Sequence, residues 1–315
     1  MSARRLIVGA GAARFNWLPV FVAERTGGFA KRDLEIEIVR TGAVDKATAA
    51  VLSGDIDLAI TPPEGAIRNA INGGGLRVIA GNTNALPLTL VASARFPTIE
   101  SLRGARLGTS SLTEGTALYT MEMLRAHGLE YPADYEFVIA GVHPARWAAL
   151  QDGTIDAAVQ PAPLNFIAID QGYTDLGEVS DYVPSIVFTA MIVDAFHAQQ
   201  KVTEIVAFME AVQEATEFIY NGTDDALLID ILAEIGEADG DYAQRAVDYM
   251  RSKHVFPRTM EIPNEAFETS VRLMVKANVI TEAEAANARR VLDSVFLDAM
   301  RAAGSSTARI ERSVS

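Results

Sequence analysis

Apolar and polar residues follow one another along the first 193 residues in a pattern that predicts alternating strands and helices. The segment Leu34–Val39 reads Leu-Glu-Ile-Glu-Ile, the period-two pattern of a strand with one buried face. Apolar runs and similar alternation predict nine strands: Arg5–Gly9, Leu34–Val39, Asp57–Ile60, Leu76–Ala80, Leu88–Ala92, Ala105–Gly108, Glu136–Ala140, Asp156–Gln160 and Ser185–Val193. Strands that alternate with helices are typical of mostly parallel sheets.

Helical spacing of apolar residues fills the gaps between these strands and continues alone after residue 203. Among the strands it predicts helices over Trp17–Ala30, Ala43–Leu52, Glu114–His127 and Pro144–Leu150. Five more follow toward the C-terminus: Glu204–Tyr220, Asp224–Ile235, Asp241–Ser252, Asn264–Ala277 and Thr281–Ala303. The chain therefore reads as an α/β protein with a helical C-terminal region.

One part of the pattern occurs twice, without gaps, at an offset of 99 residues. The shared residues are Glu37, Val39, Gly42, Ala49, Ala50, Gly54, Ile56, Asp57, Ala59 and Pro62, which recur as Glu136, Val138, Gly141, Ala148, Ala149, Gly153, Ile155, Asp156, Ala158 and Pro161. Gly9 and Gly108 fall on the same offset. A duplicated α/β unit predicts two facing lobes with a ligand cleft between them.

The order of the strands sets the expected boundaries of the two lobes. Lobe 1 is expected to comprise residues 1–86 and 187–315, including the C-terminal helices, and lobe 2 residues 87–186. In this arrangement Leu88–Ala92 carries the chain across to the second lobe, and Ser185–Val193 returns it to the first.

Composition and charge narrow the class of partner. The 315 residues carry a formal net charge of −14, which argues against nucleic acid or an anionic membrane surface as a partner. A small anion is still compatible, because it responds to the local field of its site. There is no cysteine, so disulfides and thiolate chemistry are absent, and no apolar run is long enough to span a bilayer.

Candidate ligand-binding residues are those that follow the predicted strands, because ligands of parallel sheets lie beyond the carboxyl ends of the strands. These candidates are Asn16, Trp17, Thr41, Thr61, Glu64, Ser110, Ser111, Thr113 and Gln160. The segment Ser110–Thr116 is the sharpest local signal, because hydroxyls at a helix N-terminus bind carboxylate, sulfonate or phosphate. The alternative is that Ser111 or Thr113 is an ordinary N-cap.

Two other candidates also have structural alternatives. Trp17 either stacks on a planar ligand or packs in the core. Glu64 follows two prolines that stiffen its loop, so its carboxylate is expected at the mouth of the cleft. There it either meets a ligand amine or caps the following helix.

The sequence contains no recognisable catalytic or cofactor-binding constellation. The four histidines (His127, His143, His197 and His254) lack metal-ligand spacing. No nucleophile elbow, P-loop or dinucleotide fingerprint occurs, and no cofactor or metal is expected. The repeated Asp57 and Asp156 are better explained by backbone hydrogen bonds in a shared turn than by a catalytic pair.

The chain resembles the substrate-binding proteins of nitrate/sulfonate/taurine ABC transporters and the related thiamine-pyrimidine synthase family. The segments that carry the resemblance are 18–23, 27–36, 52–59, 101–104 and 150–158. The resemblance implies a two-lobed, periplasmic-binding-protein-like fold of type II that closes on a small molecule, with hinges near Ala85-Leu86 and Pro184-Ser185. By position it implies ligand contacts from Asn16, Trp17, Thr61, Ser110, Ser111 and Gln160. The family's thiamine-pyrimidine synthases use a cysteine-bearing motif, so that activity is not expected here.

Three functions are consistent with this reading. The first is a non-catalytic solute-binding protein that delivers a small organic anion, such as a sulfonate, a carboxylate or a heterocyclic nitrogen compound, to an ABC permease. The second is a cytoplasmic enzyme on the same fold, a dehydratase, decarboxylase or lyase acting on a small carboxylate, and the third is a ligand-sensing partner of a regulator. A periplasmic location is expected if a signal peptide preceded this numbering, and a cytoplasmic one if Met1 is the native start.

Overall fold

The strands form two five-stranded sheets in a computed structural model that describes residues 4–113, 115–222, 224–236 and 238–303. The first sheet has the order β2-β1-β3-β10-β4, with β1 Arg4–Ala10, β2 Leu34–Arg40, β3 Leu58–Thr61, β4 Leu76–Thr83 and β10 Thr189–Asp194. The second has the order β7-β6-β8-β5-β9, with β5 Leu88–Ala92, β6 Arg106–Thr109, β7 Glu136–Ile139, β8 Ala157–Pro161 and β9 Thr174–Glu178. In each sheet one strand, β10 or β5, runs antiparallel to its neighbours. The prediction of two mostly parallel sheets is confirmed.

Helices connect the parallel strands and form the C-terminal region. Those among the strands are α1 Leu18–Arg25, α2 Val44–Ser53, α3 Glu64–Ile71, α4 Thr116–Arg125, α5 His143–Gln151 and α6 Leu164–Asp170. Those that follow are α7 Ala195–Ala198, α8 Val202–Asn221, α9 Asp225–Gly236, α10 Gly240–Ser252, α11 Asn264–Lys276 and α12 Glu282–Ala285, with a last helix over residues 295–303. Within the described ranges, none of these helices is both long and apolar enough to cross a membrane.

The two halves of the 99-residue repeat adopt the same strand pairing. Val8 of β1 lies opposite Leu58 of β3, and Leu107 of β6 lies opposite Ala157 of β8. Two strands inside each sheet are buried along their whole length: β3 and β10 in the first sheet, and β8 and β5 in the second. The core therefore runs through the middle of both sheets.

The repeated aspartates stabilise equivalent turns in the two halves. The carboxylate of Asp57 accepts a hydrogen bond of 2.8 Å from the backbone N–H of Ile7. The carboxylate of Asp156 accepts one of 2.8 Å from the backbone N–H of Arg106. The structural interpretation of these residues is therefore confirmed, because each accepts a hydrogen bond from a backbone N–H of a parallel strand, β1 in one copy and β6 in the other.

The repeated glycines are explained by close packing against a repeated isoleucine. A Cβ atom added to Gly9 would lie 2.4 Å from Cδ1 of Ile56, and one added to Gly108 would lie 2.4 Å from Cδ1 of Ile155. Neither position can accept a side chain without displacing the isoleucine beneath it.

Some elements differ from the prediction. The helix predicted over Trp17–Ala30 spans only Leu18–Arg25, and the start of the helix predicted at Glu114 lies outside the described residues. The single helix predicted over Thr281–Ala303 is wrong, because Leu292 leaves the helical path to form a parallel bridge with Val78 at the edge of β4. Strand β9 and helix α6 were not predicted. Strand β9 reads Thr-Asp-Leu-Gly-Glu, which has one apolar residue and gives no strand signal.

Ion pairs connect the C-terminal helices with helices of the second sheet. Glu122 of α4 lies 2.5 Å from Nζ of Lys276 and 3.3 Å from Nη1 of Arg272, both on α11. Arg245 of α10 pairs with Asp170 of α6 at 2.6 Å. The C-terminal helices thus contact the segment that forms the second sheet as well as the first.

Candidate ligand-binding site

A cavity of about 50 Å³, here called the inner cavity, lies between the two sheets at the carboxyl ends of their parallel strands. The segment after β1 contributes Ala10–Ala13, and the end of β3 contributes Ile60–Pro62. From the second sheet, Ser110 follows β6 directly. Parallel strands present their carboxyl ends at one edge, so both sheets direct their loops into the same space.

The lining of the inner cavity follows the sequence repeat. Four pairs of lining residues are 99 positions apart: Gly11 and Ser110, Asn16 and Gly115, Trp17 and Thr116, and Val44 and His143. The cavity therefore lies where the two repeated units face each other. The members of a pair differ in chemistry, and the hydroxyls and the imidazole come from the second sheet.

Arg146 is the charged group of this site. It lies on α5, lines the inner cavity and is only 1% exposed. Its guanidinium donates to Oγ1 of Thr116 at 3.1 Å, to the carbonyl of Val159 at 3.2 Å and to Nδ1 of His143. Within the described part of the chain its hydrogen-bond partners include no carboxylate. Burial lowers the pKa of Arg146 to about 9, so the side chain is still a cation at neutral pH.

His143 is the neutral neighbour of this cation. Burial, reinforced by the charges of Arg146 and Arg14, lowers the pKa of His143 well below its ordinary value. Because Nδ1 accepts from the guanidinium, the proton of the neutral imidazole resides on Nε2. The ring therefore adds a hydrogen-bond donor and no charge.

Three buried polar atoms of lining residues have no hydrogen-bond partner among the described residues. They are Nε1 of Trp17, Oγ1 of Thr61 and Nε of Arg146. Buried donors are rarely left unsatisfied in folded proteins. A bound anion could accept from all three, which makes the inner cavity chemically suited to an oxyanion.

Four of the nine predicted site residues line the inner cavity, namely Asn16, Trp17, Thr61 and Ser110. Trp17 is fully buried and its ring lies 6.5 Å from that of Phe21, so it packs in the core and also borders the cavity. The two alternatives for this residue are therefore not exclusive.

Thr41 and Gln160 lie outside this lining. The hydroxyl of Thr41 donates to the carbonyls of Ala10 at 3.1 Å and Ala43 at 2.7 Å, so it stabilises the loop after β2. Gln160 is fully buried on β8, opposite Thr89 of β5, and its amide has no partner among the described residues.

The prediction of hydroxyls at the start of a helix needs correction. Helix α4 begins at Thr116, so Ser111 and Thr113 precede it in a loop. Oγ of Ser111 accepts from the backbone N–H of Thr113 at 3.2 Å, which closes a turn within that loop. Neither residue lines the inner cavity, and the hydroxyl residues of the segment 110–116 that do are Ser110 and Thr116.

The prediction for Glu64 is also corrected. Instead of lying at the cleft mouth, Glu64 is fully buried at the start of α3. The hydroxyl of Tyr119 on α4 donates to its Oε1 at 3.4 Å. Burial, together with the charge of Glu64, raises the pKa of Tyr119. The carboxylate thus links the segments of the two sheets away from the inner cavity.

Arg146 was missed because helical periodicity assigns it no role. The repeat carried the signal, since position 146 corresponds to Ala47, which is fully buried on α2. The second copy of the repeat therefore has a charged residue where the first copy has a buried alanine. Such differences between the copies mark functional positions in a duplicated fold.

The two sheets and the cavity between them define the class as a periplasmic-binding-protein-like fold. Residues 14–226 match the family described as NMT1/THI5 like. Because this segment is more than half of the chain, the protein belongs to the NMT1/THI5-like family. No curated protein matches the chain in sequence.

Solved structures with the same fold cover nearly the whole chain. The nitrate-binding protein NrtA from Synechocystis PCC 6803 has a TM-score of 0.75 and 14% identity over 96% of this chain and 89% of its own. The alkanesulfonate-binding protein SsuA from Xanthomonas axonopodis pv. citri, bound to MOPS, has a TM-score of 0.70 and 16% identity over 95% and 98%. The ligand-binding component of an ABC-type import system from Staphylococcus aureus, with zinc bound, has a TM-score of 0.76 and 12% identity over 94% and 98%. At these identities the likeness establishes the fold.

Proposed function

We propose that this protein is a solute-binding protein that captures a small organic anion in the inner cavity and delivers it to an ABC-type permease. The observation that carries the proposal is the buried guanidinium of Arg146, for which the described residues supply no carboxylate. A buried charge without a counter-charge is costly, and an anionic ligand removes that cost. The net charge of −14 does not oppose this, because the ligand responds to the local field of the site.

The donors around Arg146 favour a ligand head group with several oxygen atoms. The indole N–H of Trp17, the hydroxyl of Thr61 and Nε of Arg146 can each donate one hydrogen bond. A carboxylate or sulfonate accepts several such bonds at once, and a heterocyclic nitrogen compound that carries an anionic group would do so as well. Asn16 and Ser110 are proposed as further contacts, because they also line the inner cavity.

Capture is proposed to occur by closure of two lobes, residues 1–86 with 187–315 and residues 87–186. The crossing strands β5 and β10 support this division, because each lies in the sheet opposite to the strand that precedes it. A cavity of about 50 Å³ accommodates a head group and little more, which is consistent with a closed conformation. Hinged closure and reopening would then control binding and release.

The structural neighbours support this class of ligand. One is named as binding nitrate, and another as an alkanesulfonate-binding protein bound to MOPS, which is itself a sulfonate. An extracytoplasmic location and a permease partner are parts of the same proposal.

A thermal-shift screen of the full chain tests the proposal. The panel comprises nitrate, methanesulfonate, taurine, acetate and an aminopyrimidine, with the chloride salt of each counter-cation as the control. At least one oxyanion should raise the unfolding temperature, because a ligand that binds only the native state stabilises it. The proposal fails if no anion stabilises the protein at millimolar concentration. Conversion of a stabilising ligand, followed by NMR, would contradict a role in binding alone.

A further inference from the structure

A second cavity, here called the outer cavity, adjoins the inner one and has a different chemical character. Its volume is about 340 Å³. Its walls come from α5, α6, α9 and the segment before α1, and they are predominantly apolar, with Arg14, His143 and Gln171 as the polar side chains. The large apolar side chains among them are Phe15, Trp147, Leu164, Ile167, Leu232 and Ile235.

The imidazole of His143 borders both cavities. It lines the inner cavity together with Arg146 and lines the outer cavity together with Trp147. The ring of Phe15 contacts it edge-on, with ring centroids 5.7 Å apart. The surroundings therefore change from the buried cation Arg146 on the inner side to a mostly apolar chamber, with Arg14 in its wall, on the outer side of this neutral ring.

The sizes of the two cavities favour a ligand with two parts. About 50 Å³ holds the oxygen atoms of a head group, whereas the outer cavity is roughly twice the 150 Å³ of an engineered apolar cavity that binds benzene. A polar solute would gain nothing from an aromatic and aliphatic lining. An aromatic or branched aliphatic group would gain from transfer out of water.

We infer that the outer cavity receives the apolar part of an organic anion whose carboxylate or sulfonate is bound by Arg146. The ligand class is then an aryl or branched alkyl carboxylate or sulfonate, in preference to an inorganic anion or a methyl-bearing one. This inference rests on the proposed function and goes further, because it specifies what the anion carries. Burial of roughly 100 Å² of ring surface corresponds to a gain of about 50- to 100-fold in affinity.

Two matched pairs of anions test the inference by calorimetry on the full chain: methanesulfonate against benzenesulfonate, and acetate against phenylacetate. In wild-type protein the aryl member of the better-bound pair should bind at least tenfold more tightly. This comparison needs no variant. Equal affinities within both pairs would overturn the inference and leave the proposed function intact. No binding of any of the four would also overturn the inference, and the proposed function would fail with it only if nitrate and taurine do not bind either.

A variant that fills the outer cavity localises the effect. Ile167→Trp places a larger side chain in the wall of the outer cavity, and Ile169→Trp makes the same change on α6, outside that wall, where Ile169 packs against a small cluster around Ile155. Ile167→Trp should weaken binding of the aryl anion at least tenfold and leave the affinity for the methyl anion unchanged. Ile169→Trp should keep the wild-type ratio of these two affinities. If the Ile167→Trp variant keeps the wild-type ratio of aryl to methyl affinity, the aryl ring lies elsewhere and the inference is overturned.

Discussion

At the scale of single residues, a binding role is proposed for buried polar groups that have no hydrogen-bond partner among the described residues. Thr61 and Thr41 both follow strands of the first sheet and both were predicted as ligand contacts. The hydroxyl of Thr41 already donates to two backbone carbonyls, whereas that of Thr61 has no partner among the described residues. The same residue type at the ends of two strands of one sheet, β2 and β3, therefore has a structural role in one case and a proposed binding role in the other.

This contrast gives a matched pair of substitutions. Thr61→Val should weaken anion binding by roughly 5- to 30-fold, because it removes one hydrogen bond to a charged ligand at nearly constant volume. Thr41→Val should leave the affinity unchanged and lower only the stability. Titration calorimetry with the most stabilising anion measures both. Equal losses of affinity in the two variants would contradict the assignment.

The lowered pKa of Arg146 predicts the pH dependence of binding. An exposed arginine stays charged up to about pH 12, but burial lowers the pKa of this side chain to about 9. The charged form is the one that binds an anion, so affinity should be constant near pH 7 to 8 and fall as the pH rises above about 9. A sulfonate ligand, which remains ionised throughout, isolates the contribution of the protein. An affinity that stays constant to about pH 10.5 would contradict this prediction.

The sequence pattern located some of the residues at the inner cavity but not all of them. Strand-end positions could be located from periodicity, and four of the nine candidates line the inner cavity. Glu64 and Arg146 could not be placed in this way, because the sequence does not show which face of a helix a charged side chain occupies. Glu64 was predicted at the mouth of the cleft because two prolines stiffen its loop, but packing against the segment of the second sheet buries it.

At the scale of elements, the duplicated strand–turn unit gives each central strand the same stabilising contact. The second copy is reinforced, since Arg95 and Arg106 both pair with Asp156. Burial alone would raise the pKa of Asp156, but hydrogen bonds and charge from Arg106, with the charge of Arg95, lower it below its ordinary value. The equivalent Asp57 has one backbone donor and a lysine, Lys201, at 3.5 Å.

These differences predict unequal costs for one substitution made in both copies. Asp156→Ala should lower the free energy of unfolding by about 2 kcal/mol, because it removes a buried acceptor for the backbone N–H of Arg106 and two ion pairs with partly exposed arginines. Asp57→Ala should cost less, about 1 kcal/mol. Urea unfolding measures both values. Ligand affinity per folded molecule should not change, and a selective loss of binding without loss of stability would point to a functional role instead.

Periodicity predicted the repeated elements well and the unrepeated ones poorly. The strands of the repeat have clear apolar patterns, whereas β9 forms an edge strand through contacts with β5 that its own composition does not indicate. The break at Leu292 is likewise decided by a distant partner, Val78. Local pattern cannot reveal an element whose stability comes from tertiary contacts.

At the scale of the whole molecule, ion pairs across the proposed lobes should affect how long a ligand stays bound. Glu122 belongs to the segment 87–186, and its partners Arg272 and Lys276 belong to the C-terminal helices. Burial opposes ionisation of Glu122, but the hydrogen bond from Lys276 and the nearby cations lower its pKa overall. The carboxylate is therefore ionised at neutral pH and contributes to contact between α4 and α11, which lie in different proposed lobes.

Weakening this contact should speed ligand release. Glu122→Gln should raise the dissociation rate by roughly two- to fivefold, in line with about 0.5 to 1 kcal/mol for a partly exposed ion-pair network. Glu130→Gln is the control, because Glu130 pairs with Arg125 within the same segment. Stopped-flow tryptophan fluorescence, with Trp17 in the cavity wall as the reporter, measures both rates. Identical rates in the two variants would argue against closure across this contact.

A calorimetric titration of the most stabilising anion into three forms of the full chain tests whether Arg146 binds the anion. Wild-type protein should bind one equivalent, and Arg146→Met should lose at least 100-fold in affinity while it remains folded. Arg103→Met removes an exposed arginine that pairs with Asp134, and it should bind like the wild type. Binding of the anion to Arg146→Met with wild-type affinity would contradict the account.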